Sequence, residues 1–240
     1  MLWCYSLTVS AYVMDSSNYR MEKDSINIGG TEDSTSSNYQ LRDTMGEVGT
    51  GQLESANYLL QAGYRQMDEV YLSISTPGPI TLAPNIGGVT GGSATGNGTW
   101  TVKTDSPAGY YLSIRATSSP AMQSSSASFA DYTPASAGTP DYSWNILSAD
   151  SEFGFSPYNA SSQIAKYKNN DSDCNAGSNI TDEKCWYGLA TVDEQIANKA
   201  SRTDIVGEET KINFKAEVNT SALQTAGTYT ATVVVTAVSN

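Results

Sequence analysis

The side chains best equipped for chemistry gather in one polar stretch. Cys174 and Cys185 lie eleven positions apart among asparagines, aspartates and serines, and in an exported chain such a pair closes a disulfide loop. Around it, Asp171, Asp173, Asn175, Asn179 and Asp182 fall at positions 1, 3, 5, 9 and 12 of a calcium-binding loop, which makes Asp171, Asp173, Asn175 and Asp182 a candidate calcium site. The pattern departs from that loop at Ala176, where the sharp turn takes glycine, and at Asp182, where the longer glutamate is usual. A solvated loop pinned by its disulfide uses the same residues with no ion and no cofactor.

Elsewhere the chemistry is constrained by an absence. The chain has no histidine, which removes the usual general base at neutral pH, the Ser-His-Asp and Cys-His arrangements and nearly all catalytic zinc sites. A glycosidase needs only two acids across a cleft, and Asp150 with Glu152, or Asp182 with Glu183, are the candidates. Their nearness in sequence says nothing about separation across a site. The 15 tyrosines and 4 tryptophans invite stacking on sugars, yet Trp100, Tyr110, Trp144 and Tyr229 occupy alternating positions that equally serve core packing. Asn97, Asn159, Asn179 and Asn219 each begin an Asn-Xaa-Ser/Thr glycosylation signal.

Composition narrows the class. With 25 acidic against 13 basic side chains the formal charge is −12, and the bases are scattered, so the chain repels phosphate backbones and no nucleic-acid partner is expected. Ser, Thr, Asn, Gly and Tyr outweigh the 16% of charged residues, the balance of strand faces and turns. The 39% apolar content is enough to fill a core.

Residues 1–14 carry no charged side chain and fall short of the roughly 20 apolar residues of a bilayer span, so no integral membrane protein is expected. Two readings of this stretch stay open. One is a signal-peptide remnant, with Val9-Ser10-Ala11 as its small-residue cleavage site. The other is a donated strand: Tyr5, Leu7, Val9, Ala11 and Val13 alternate with Ser6, Thr8, Ser10 and Tyr12, which puts Leu7, Val9, Ala11 and Val13 on one face for pairing with a neighbour's open sheet edge.

Over 15–67 a motif recurs as Ser17-Asn18-Tyr19-Arg20-Met21, Ser37-Asn38-Tyr39-Gln40-Leu41 and Ala56-Asn57-Tyr58-Leu59-Leu60, the asparagines 20 and then 19 residues apart. Each Asn-Tyr opens a short segment, and the first two run on to Ile28-Gly29-Gly30 and Val48-Gly49-Thr50-Gly51, where glycine supplies a turn. Short β-hairpins are expected, each too small to bury a face alone. From 68 to 240, alternation over 70–75, 80–83, 99–104, 110–116, 142–147, 211–218 and 227–238 predicts about seven strands. The stretches 117–141 and 148–184 read as loops, and 191–201 has a faint helical spacing. The expected fold class is all-β, an immunoglobulin-like antiparallel β-sandwich preceded by short β-hairpin repeats.

Three pieces of sequence carry a resemblance: the repeats ending in Leu60-Gln61-Ala62-Gly63-Tyr64-Arg65-Gln66-Met67; the pair Thr99-Trp100-Thr101-Val102 and Ala108-Gly109-Tyr110-Tyr111-Leu112; and Ala226-Gly227-Thr228-Tyr229-Thr230-Ala231. Together they resemble uncharacterised exported surface proteins of bacteria with small genomes, and the C-terminal part is similar to WxL-type wall-associated β-domains. The resemblance implies export, a β-sandwich and a cell-envelope location, and it carries no catalytic residues.

The functional expectation is a secreted, non-enzymatic cell-surface protein that assembles with itself, or with other cell-envelope proteins, through strand edges in a filament, pilus or surface layer. The alternative is an adhesin or carbohydrate-binding module whose Tyr- and Trp-rich loops take a glycan. A glycosidase is the third reading.

Overall fold

The computed structural model describes six short strands before residue 70, and residues 70–147 and 150–240 throughout. The chain divides into two compact units, Met1–Glu69 and Val70–Asn240.

In the first unit the strands form three antiparallel pairs: β1 (Met14–Asp15) with β2 (Arg20–Met21), β3 (Ser34–Thr35) with β4 (Gln40–Leu41), and β5 (Gly51–Glu54) with β6 (Leu59–Ala62). In the sequence, Ser16-Ser17-Asn18-Tyr19, Ser36-Ser37-Asn38-Tyr39 and Ser55-Ala56-Asn57-Tyr58 lie between the members of each pair, so the recurring motif falls between paired strands. Each second strand begins directly after the tyrosine. The glycines of Ile28-Gly29-Gly30 and of Val48-Gly49-Thr50 lie outside the described residues, while Gly51 opens β5.

The second unit contains β7 (Leu72–Ser75), β8 (Gly92–Thr104), β9 (Tyr110–Ala116), β10 (Met122–Gln123), β11 (Ala130–Asp131), β12 (Ser151–Tyr158), β13 (Tyr187–Gly188), β14 (Glu194–Lys199), β15 (Glu208–Val218), β16 (Thr230–Ala231) and β17 (Val233–Ser239). A large sheet runs β11-β12-β15-β8-β7, with β13 also on β12; a smaller sheet runs β14-β9-β17; β10 and β16 form a ribbon. Every pairing is antiparallel except β11 with β12. The fold is all-β and sandwich-like. Among the described residues its helical content is a 3₁₀ turn at Ala165–Tyr167.

Alternation along each strand decides what is inside. Trp100 and Val102 of β8, Leu112 and Ile114 of β9, Phe153 and Phe155 of β12, Ile196 of β14, and Ile212, Phe214, Ala216 and Val218 of β15 are buried in one cluster. Phe214 is central: it meets the Trp100 ring edge-on at 6.5 Å and stacks on Phe153 at 6.0 Å. Each such aliphatic or phenyl side chain contributes about 1.5–3 kcal/mol by leaving water, which makes this cluster the main source of stability.

Four local expectations are corrected. Residues 142–147 form no strand; the strand is β12, inside the stretch read as loop. Gly154 and Pro157 hid it, because both weaken a strand in general. Here they fit: β13 pairs only with Gly154 and Phe155, so Pro157 lies beyond it on an otherwise open side. Residues 80–83 contribute a single bridge, from Ala83 to Thr95. The faint helical spacing at 191–201 belongs to strand β14, held in place by five paired positions on β9 despite a register shift between Gln195 and Ala197. Finally, β8 begins at Gly92 rather than near Thr99, running through Gly96 and Gly98.

Candidate assembly site

The edge of the large sheet is interrupted just after β7. Ser75 pairs with Thr101 of β8, and the chain rejoins β8 only at Ala83, which exchanges two 2.9 Å backbone hydrogen bonds with Thr95. In between, the chain leaves the ladder and folds over the inner face of β8. Glycines make the room: a Cβ on Gly96 would fall 2.9 Å from Leu82 Cδ2, and one on Gly98 2.6 Å from Ile80 Cδ1. Pro77, Ile80 and Leu82 thus pack directly on the inner face of β8.

Facing this bulge is β17, the last strand of the smaller sheet, which pairs with β9 alone. The Thr117 N–H donates to the Thr232 carbonyl, which sets the alternation along the ladder. Thr232, Val234 and Thr236 turn their backbone groups toward β9, so Val233 and Val235 turn theirs away from it. Among the described residues no strand pairs with that outer side.

Between the bulge and β17 opens a groove of about 1220 Å³. Its floor is core, Trp100 and Phe214; its walls include Ile80, Leu82, Val233 and Val235, all half-buried. No lining residue is charged, in a chain whose net charge is −12. Packed interiors leave few voids larger than a water molecule, so this groove is a place the second unit does not fill with its own side chains. Its half-buried Ile80, Leu82, Val233 and Val235 gain by meeting an apolar occupant.

The outer face of the large sheet is closed instead. Gly154 leaves space for two rings, since a Cβ there would lie 2.7 Å from Tyr132 Cβ and 3.1 Å from Trp144 Cζ3. Tyr132 stacks on Trp144 at 4.3 Å, Trp186 meets Trp144 edge-on at 5.2 Å, and Lys215 Nζ lies 5.1 Å from the Trp144 ring centre. Asp182 accepts hydrogen bonds from Lys211 Nζ at 2.6 Å and Asn213 Nδ2 at 2.8 Å. Burial works to raise the Asp182 carboxyl, but these bonds outweigh it and hold the group below its usual value. The Cys174–Cys185 disulfide, with Cα atoms 5.6 Å apart, ties the loop that delivers Asp182 and Trp186.

The calcium candidates are not brought to one point. Asp182 is held by Lys211 and Asn213; Asp171 Oδ2 accepts from Asn179 Nδ2 at 2.9 Å; Asp173 Oδ2 accepts from Ser172 Oγ at 2.6 Å; Asn175 is exposed, at φ 56°. Among the described residues no three His, Cys, Asp or Glu side chains are placed to hold a metal ion. The assembly-strand residues Leu7, Val9, Ala11 and Val13 lie outside the described residues. Glu152 is buried, and its carboxylate accepts the Thr133 N–H at 3.2 Å; burial pushes it above its usual value despite that bond. Of the glycosylation signals, Asn159 is buried and donates to Thr210 Oγ1 at 2.7 Å, a structural use, whereas Asn97 and Asn179 are exposed.

At one end of the sandwich a partly buried ion pair joins the two sheets. Glu208 of β15 lies 2.5 Å from Lys199 Nζ of β14 and accepts the Ser162 hydroxyl. Burial acts to raise Glu208, and the bonds from Lys199 and Ser162 prevail, leaving it below its usual value.

Trp100, Tyr229 and residues 80–83 stand out in the sequence as packing or strand positions, but nothing there joins them around a groove. The Pro77-Gly78-Pro79 break and the glycines at alternate positions of β8 are local signals of it. No family model, curated protein or solved structure matches the chain. No helix among the described residues is long and apolar enough to cross a membrane.

Proposed function

We propose that this chain is an exported, non-enzymatic surface protein that self-assembles by adding a strand to the outer side of β17. The observation that carries the reading is an unpaired strand edge lying beside an uncharged groove. Proteins that must stay apart blunt such edges with charge, proline or cover. The β17 sequence, Val233-Val234-Val235-Thr236-Ala237-Val238-Ser239, contains neither charge nor proline. The edge of the other sheet differs, since Pro77 and Pro79 follow β7 directly. Export is supported by the disulfide and by an acidic, hydroxyl-rich composition. The absence of histidine supports a role without catalysis.

Size-exclusion chromatography and negative-stain microscopy over a concentration series test this. The full chain is expected to form multimers that grow with concentration. Val235→Pro removes an outward N–H while sparing the hydrogen bonds to β9, and is expected to leave a folded monomer. Val233→Lys, which places a charge at the groove mouth, is expected to do the same. A wild-type chain that stays monomeric at every concentration overturns the proposal.

A glycan-binding reading has one observation in its favour. A cleft of about 250 Å³ on the outer face of the large sheet is lined by Trp144, Trp186, Asn97, Asn213, Glu183 and Lys184. The buried Trp144 Nε1 has no hydrogen-bond partner there. An indole N–H beside amide and charged groups is suited to sugar hydroxyls. A glycan array comparing the wild type with Trp144→Phe, which removes the N–H together with the five-membered ring while keeping an aromatic side chain, tests it; no retained sugar rejects this reading.

A further inference from the structure

We infer that the occupant of the β17 groove is the uncharged alternating segment 5–13 of a neighbouring copy, laid as an added strand beside Val233 and Val235. The inference rests on the self-assembly reading above and names its partner surface.

Charge is the first match. The groove is lined without a charged residue, and residues 1–14 form a stretch equally free of charge in a chain with 25 acids and 13 bases. Burying a charged segment in that groove would carry a desolvation cost that this segment avoids. Periodicity is the second. In an extended chain Leu7, Val9, Ala11 and Val13 share one face, while Ser6, Thr8 and Ser10 lie on the other. A strand seated on β17 needs that division, with apolar side chains entering the groove above Trp100 and Phe214 and polar ones facing solvent. Backbone is the third, because the N–H and C=O groups of Val233 and Val235 turn away from β9 and pair with no strand among the described residues. The size agrees as well. At about 1220 Å³ the groove exceeds the ~300–1,000 Å³ of small-molecule pockets, and its lining includes both the bulge around Thr76 and β17.

The test uses the full chain carrying Leu7→Asp and Val9→Asp. These positions are outside the sandwich strands, so the thermal melt of the second unit and its near-UV circular dichroism should match the wild type. Concentration-dependent association is expected to weaken by at least about tenfold, since each change removes a buried aliphatic side chain. A synthetic peptide of residues 5–14, added to this doubly substituted chain, is expected to bind and to perturb the tryptophan fluorescence. It should not bind when Val235→Pro is also present. Three results overturn the inference: the doubly substituted chain assembling like the wild type, no binding of the peptide, or a mature protein whose N-terminal sequencing begins after Ala11. If the first of these occurs while Val235→Pro is monomeric, another segment fills the groove and the self-assembly reading stands. A wild type that never assembles removes both.

Discussion

The two flanks of the large sheet solve the same problem in opposite ways. On its outer face, Gly154, Ser156 and Asn213 are buried beneath the chain's own loops, with Tyr132, Trp144 and Trp186 as the packing and a disulfide as the tie. On its inner face beside β17, the bulge around Ile80 and Leu82 lines a groove together with Met122, Phe129 and Tyr229, and Val233, Val234 and Val235 stay half-buried. Both regions bury large apolar side chains, so hydrophobicity alone does not distinguish them. The difference is completeness: a closed face serves stability, and a half-closed one, with an unpaired edge, has capacity for a partner.

If that contrast is right, substitutions away from the groove should cost stability without touching assembly, and the reverse should hold at the groove. The largest effect is expected at Phe155, in the inner core clear of the groove and fully buried against Tyr167 and Tyr187. Phe155→Ala should lower unfolding free energy by about 3–5 kcal/mol in chemical denaturation. Replacing Cys174 and Cys185 together by serine should cost about 2–3 kcal/mol, because the bond closes a short loop, and should leave the multimer distribution unchanged. Val235→Ala, at a half-buried position, should cost under about 1.5 kcal/mol of stability while shifting assembly to higher concentration. A loss of several kcal/mol there would mean the groove is ordinary core.

The smallest effect separates the ion pair from both flanks. Glu208 is held below its usual carboxyl value when folded, so its contribution is present at pH above its unfolded pKa and is lost as pH falls through the folded one. Denaturation followed from pH 7 down into the acid range should therefore show declining stability, and Glu208→Gln should flatten part of that decline. A variant with an unchanged pH profile would mean that the Lys199 and Ser162 bonds do not hold in solution.

How far the fold was readable depended on what each strand packs against. Strands β9 and β15 were legible because their inward positions, Leu112 and Ile114, Ile212 and Phe214, are apolar and their neighbours mostly are not. Strand β12 was not, since Gly154 answers to Tyr132 and Trp144, residues far off in sequence that no local window sees. The same holds for Gly96 and Gly98 of β8, whose seats for Leu82 and Ile80 are set by residues outside any local window. Trp144 suggested a strand at 142–147 by its alternation, yet it packs from a loop onto the sheet face. The disulfide was legible from spacing alone. The groove was not, because its walls come from residues 76–88 and 224–235, brought together only by the pairing of β7, β8, β9 and β17.

Amide hydrogen exchange at Val233 and Val235, read in dilute and in concentrated full-length protein, tests strand addition to β17 most directly. The account predicts rapid exchange of both amides in the dilute monomer, with Val234 and Thr236 slow, and protection of all four once the chain assembles. Protection of Val233 and Val235 already in the monomer, or rapid exchange that persists in the assembled state, would contradict it.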